Sequence, residues 1–218
     1  MNHNNPTKGL LMYAFYSVRR NISIALLLVL TLGAALLITG NVTVYTFFVF
    51  VAILAFPYLI IVSMGAKNAL KWEKYRISMP IKRGNLVASF YLSVLIATIV
   101  GLLVCGVILG ISMLLHDDLL HHVIKTAFVQ LSYSFGVVLL MTGLLLPIAS
   151  TKFGEGRGEA FFTVCFFIAV GVMLLISFVG GRAELSPVAI SLAQAVTAVV
   201  AFVVSYPITN RIYEKMDF

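Results

Sequence analysis

Charge is scarce in this chain. Only 8 of its 218 residues are acidic and 11% are charged, where a soluble domain carries about 25%. Too few charged groups are present to clothe a water-facing globule, which excludes an ordinary soluble domain. Cysteine is scarce too: Cys105 and Cys165 both sit inside apolar runs, so neither a disulfide framework nor a zinc pattern can be built. The phosphate-binding spacing GxxxxGK[ST], the nucleophile elbow and HExxH are all missing, and Ser150 or His122 standing alone makes no hydrolase. The chain is therefore expected not to be an enzyme by itself.

Long apolar runs are abundant. The hydrophobic share is 61% and the mean hydropathy is +1.06, values for a membrane protein. A helix needs roughly 20 apolar residues to cross a bilayer. The runs predict an all-α membrane protein, one transmembrane domain over 1–218, with spans at 22–39, 44–65, 85–115, 126–150, 160–179 and 188–209. The first two are split by Thr39–Thr43, TGNVT, where Gly40 and Asn41 are turn formers. None of the six contains an acidic, basic or histidine side chain. A carboxylate or histidine at mid-depth is what proton- or ion-driven transporters use, so energy for any transport must enter from elsewhere.

The N-terminal run Gly9–Val18 is too short to span and is followed by Arg19 and Arg20, the reverse of a signal peptide's order. Leu11, Phe15, Val18 and Ile22 repeat at helical spacing. This predicts a helix over 7–20 lying in the interface, with a plain extension of the first span as the alternative.

Between spans two and three lies KNALKWEKYRISMPIKR, residues 67–83, with six of the fifteen basic residues against one acid, Glu73. It is too charged to enter lipid. Lys67, Lys71 and Lys74 share one helical face and Trp72, Tyr75 and Met79 another, which predicts a short amphipathic helix over 67–79 stopped by Pro80. With six spans, only Lys125 and Arg182 of the fifteen basic residues lie opposite the N-terminal segment, this connector, the connector 151–159 and the tail. The positive-inside rule puts those four segments, and both termini, in the cytoplasm. The net charge of +7 is thereby assigned to topology, with no nucleic acid implied.

Neutral polar groups do occur within the runs: Gln130, Ser132, Tyr133, Ser134, Ser191 and Gln194. They suit hydrogen bonds between packed helices; the alternative is a polar substrate path through Gln130, Tyr133, Ser134 and Gln194. Gly106 and Gly110 form a GxxxG expected to serve packing within the chain, and Gly40, Gly136, Gly143 and Gly171 are expected to mark further close approaches. HDDLLHH at 116–122 offers His116, His121 and His122 without a zinc spacing, and no metal is expected. The connector at 67–83 is the entry point left for energy: a helix with Trp72 and Tyr75 on one face can dock on a motor, whereas topology or lipid binding alone needs only the basic residues.

Trp72–Leu92, WEKYRISMPIKRGNLVASFYL, resembles the connector between spans two and three of bacterial ABC type-2 transporter permeases, with Ser78, Pro80 and Arg83 at its Ser-x-Pro-x-x-Arg turn. TKFGEGRG at 151–158 is similar to that family's connector after span four, matched at Lys152, Phe153, Gly154 and Arg157. In size and loop economy the chain looks closest to the small permeases of phenol-soluble modulin exporters. The resemblance implies a permease that pairs with a second copy, identical or paralogous, in a bacterial cytoplasmic membrane. It implies a coupling helix docked on a separate ATP-binding subunit through Lys71, Trp72, Glu73, Lys74, Tyr75, Arg76, Met79, Pro80 and Arg83. ATP and Mg would sit in that partner, with no cofactor in this chain, and the expected cargo is an amphipathic peptide. Export of a lipid, drug or antibiotic peptide, or a non-transporting immunity or scaffold role, are the other readings.

Overall fold

The computed structural model describes residues 6–65, 83–149 and 158–215. They form six helices: α1 Pro6–Thr39, α2 Val42–Gly65, α3 Arg83–Leu115, α4 Asp117–Ala149, α5 Gly158–Arg182 and α6 Pro187–Lys215. All six are long and apolar enough to cross a membrane, so the chain is a multi-pass, all-helical membrane protein. The runs expected at 44–65, 85–115, 126–150, 160–179 and 188–209 each overlap one of these helices, and α4 begins at Asp117, well ahead of the apolar run. The predicted coupling helix 67–79 lies outside the described residues.

One boundary differs. No break separates the expected helix at 7–20 from the first span: α1 runs unbroken for 34 residues, about 50 Å of helix. Between Leu10 and Leu32 it contains neither proline nor glycine, and arginine is a good helix former, so Arg19 and Arg20 change polarity without stopping the hydrogen-bond ladder.

The short turns are closed by their own residues. α1 ends on Gly40, whose φ of 58° is the left-handed conformation that lets its N–H reach Leu36 O at 2.9 Å. Asn41 then caps α2, its Oδ1 accepting from the Thr43 N–H at 2.8 Å. At the α5–α6 turn Glu184 takes the left-handed position, at φ 51°, with Glu184 N–H bonded to Gly181 O and Leu185 N–H to Gly180 O, a Schellman cap on α5. Ser186 caps α6 ahead of Pro187, its Oγ accepting from the Ala189 N–H at 3.3 Å.

α4 is the most enclosed span and α5 the least. α4 packs on α6 more extensively than any other pair touches, while α1, α2 and α3 form a second tight group joined to α4 mainly through α2. The main core runs through Leu36, Phe48, Ile53, Val138, Met141 and Met173. Close approach is made at glycines. A Cβ on Gly101 would stand 2.7 Å from Ala52 O, and one on Gly143 would stand 3.2 Å from Ala201 O. Gly40 and Gly136 are likewise filled by neighbours, but Gly106, Gly110 and Gly171 have nothing within 4 Å. Among the described residues the GxxxG pair therefore makes no close approach: the buried line of α3 passes through Gly101, Cys105 and Leu109, and positions 106 and 110 fall on the outer side of it.

Candidate functional site

Two polar nodes interrupt the apolar interior, one toward each end of α6. In the half nearer the α5–α6 turn, Gln194 is completely buried. Its Oε1 accepts from Ser132 Oγ on α4 at 2.9 Å, and its Nε2 donates to Ser177 Oγ on α5 at 2.9 Å. Ser177 passes its own hydrogen to Met173 O. One amide thus joins three helices.

Beside it, Gln130 Nε2 donates to Thr46 O on α2 at 3.0 Å, and Ser134 Oγ donates to Gln130 O. Tyr133 sits next to Phe50, ring centroids 6.4 Å apart, at one end of an aromatic row that continues through Phe166, Phe162 and Tyr58. Of the four residues read as a possible substrate path, Gln130 and Gln194 spend amide hydrogens on neighbouring helices and Ser134 is buried. Tyr133 alone is placed mainly by ring contacts.

The second node was not legible in the sequence. Tyr91 on α3 puts its hydroxyl 2.8 Å from Ser205 Oγ and 2.9 Å from Thr209 Oγ1 on α6. Its ring meets Phe202 edge-on at 5.0 Å and Tyr206 at 5.4 Å. Around it a small separate core of Leu86, Val87, Phe90, Leu146 and Tyr213 fastens the beginning of α3 to the end of α6. Nearby, Gly84 leaves room for Asn210, whose Oδ1 would lie 3.3 Å from a Cβ there. Asn210 Nδ2 donates to Glu214 Oε1 at 2.9 Å. Ser205 and Thr209 stand four residues apart, which puts them on one helical face, but no local pattern announces a tyrosine more than a hundred residues away as their partner.

This second node lies toward the start of α3. Arg83 opens that helix; the other expected docking residues, Lys71 to Pro80, and the second-loop residues Lys152, Phe153, Gly154 and Arg157 lie outside the described residues. At the opposite end of the molecule His116, the single residue between α3 and α4, places its Nε2 3.0 Å from Leu37 O. Its ring covers Gly40. His116 therefore helps close the C-terminus of α1.

In chemical terms the described interior offers hydroxyls, amides and aromatic rings. Among the described residues no group of three metal-ligating side chains comes together. The model of the family described as ABC-2 family transporter protein matches residues 9–214. No curated protein and no solved structure matches the chain.

Proposed function

The chain belongs to the ABC-2 transporter family, and on that premise we propose that it is the permease of an ATP-driven exporter that carries hydrophobic or amphipathic peptides out of a bacterial cell. Membership makes it a membrane permease and implies a partnering ATP-binding subunit, to which this reading gives the catalysis. In this reading that subunit holds ATP and Mg and grips residues 67–79 through Trp72, Tyr75, Met79 and the flanking basic side chains, with the connector carrying Lys152, Phe153, Gly154 and Arg157 alongside. A second copy completes the pathway.

The observation that carries the reading is the character of the interior. Gln194, a fully buried amide, is bonded by Ser132 and Ser177, and Gln130, Ser134 and Tyr91 likewise bond neutral groups. An uncharged path suits cargo that is itself largely apolar and can enter sideways from the inner leaflet, and it leaves ATP as the energy source. Residues 7–20 would extend the first span beyond the cytoplasmic headgroups as the opening turns of α1, with both termini on that side, as the distribution of lysine and arginine favours.

The test is co-purification with an ATP-binding subunit, followed by its hydrolysis rate with wild-type permease, with Trp72→Ala and with charge reversal of Arg76 and Arg83. Loss of permease-dependent hydrolysis is the expected result; a permease that purifies alone and alters no ATPase overturns the docking claim. Cells lacking the protein are expected to retain an amphipathic peptide and to be sensitised to it from within. Unchanged secretion would remove that cargo and leave the permease in place.

A further inference from the structure

We propose that Tyr91, bridging Ser205 and Thr209 across the break that Pro207 makes in the hydrogen-bond ladder of α6, is the joint through which displacement at the start of α3 reaches α6. The inference rests on the docking reading above for its source of movement, but the joint itself is a feature of α3 and α6.

α6 gains a partner along its length. Up to Phe202 it is laid on α4, where Gly143 lets the backbones of Ala201 and Phe202 come within 3.2 to 3.4 Å of a would-be Cβ, and Gln194 ties it to α4 and α5. From Ser205 on it also meets α3: Ser205 and Thr209 bond Tyr91, and Tyr213 stands 6.5 Å from Phe90 between rings, in a small core that Leu146 of α4 shares. Pro207 stands between Ser205 and Thr209, inside the helix. It has no N–H to give to the carbonyl one turn earlier and its ring crowds that carbonyl, so α6 is weakened between the two residues that Tyr91 holds.

The hydroxyls that staple this weak point are short of hydrogens. Ser205 Oγ lies 2.8 Å from Phe202 O and Thr209 Oγ1 lies 2.9 Å from Ser205 O, as donors, and both also touch the Tyr91 hydroxyl. Three hydroxyl hydrogens serve four contacts, so one contact is always unmade. Exchanging which one costs little, because a hydroxyl released by Tyr91 still holds its own backbone carbonyl. Tyr91 can therefore grip either side of the break without leaving a buried donor empty. Its own position follows the first turns of α3, since Val87 is fully buried and Leu86, Phe90 and Tyr91 nearly so. Tyr91 lies eight residues from Arg83, about 12 Å along the helix, and a rigid helix passes displacement over that distance.

The test is amide hydrogen exchange of the permease in complex with its ATP-binding subunit, with and without a non-hydrolysable ATP analogue, for wild type, Tyr91→Phe and Thr209→Val. Both substitutions keep shape and remove hydroxyl contacts. In wild type the analogue should change exchange over 83–91 and 203–215 together. In the variants the change over 83–91 should persist while that over 203–215 shrinks roughly fivefold, the factor that one hydrogen bond of ordinary net strength supplies. Full retention of the 203–215 response in both variants overturns the joint and leaves docking intact. A wild type in which 83–91 ignores the analogue overturns the docking reading and the joint with it.

Discussion

Gly101 and Ala52 bring α3 and α2 into backbone contact: a Cβ built on Gly101 would stand 2.7 Å from the Ala52 carbonyl oxygen and 3.3 Å from Ile53 Cα. Neither obstacle is a side chain that can swing away. Gly101→Ala should therefore push the two helices apart and destabilise the protein by about 1–3 kcal/mol, the range for overpacking a core. Gly106→Ala, five residues on and facing open space, should stay within about 0.5 kcal/mol of wild type. Unfolding of the two variants in detergent gives the comparison, and equal losses would refute the close approach.

Gln194→Leu removes the hydrogen bonds to Ser132 and Ser177 while keeping bulk. Hydrogen bonds between membrane helices average about 0.6 kcal/mol each and reach about 1.7, so a loss of about 1–2 kcal/mol is expected. Ser177→Ala combined with Gln194→Leu should cost less than the two changes added, because both delete the same bond. Additive losses would show that the two side chains act independently.

His116 and Gly40 should behave as a coupled pair. Gly40→Ala places a methyl 2.6 Å from the His116 ring on a residue held at φ 58°, so it suffers both a clash and backbone strain. His116→Ala removes the clash but frees Leu37 O. In a double-mutant cycle of thermal stability, Gly40→Ala should cost less in the His116→Ala background, with the strain left as the remainder.

Cys105 and Cys165 are 0% and 1% exposed. In folded protein neither should react with a maleimide, and both should react after denaturation. A single cysteine introduced at Glu184, in the exposed α5–α6 turn, should then be labelled by a membrane-impermeant reagent added outside intact cells, whereas one at Lys71 should not. The opposite pattern would invert the topology.

How much was legible in the sequence differs between the spans and the site. Crossing a bilayer demands some twenty apolar residues in a row, a local property, so Val42–Gly65 and Gly158–Arg182 could be read within a few residues of their ends. Turn chemistry is equally local, and Gly40 with Asn41 announced the α1–α2 turn. The interface helix at 7–20 rested on a change of polarity at Arg19 and Arg20, which sets where a helix sits in water or lipid; the continuity of α1 depends instead on the absence of a helix breaker there. Gly106 and Gly110 were expected to pack within the chain because the GxxxG spacing is shared by any small-residue face. Which face turns inward is chosen by the neighbours, and the neighbours selected Gly101 and Cys105.

By itself, then, the sequence determined that this chain lives in a membrane as helices, where its charged connectors fall, and that no carboxylate, histidine or basic side chain is stationed within the apolar runs, because composition along a single segment decides those things. Only the tertiary structure decided that Gln194 joins α4, α5 and α6, and that Tyr91 staples α6 on both sides of Pro207. Such contacts unite residues far apart in the chain, and hydroxyls and amides carry no local mark of the partner that will satisfy them.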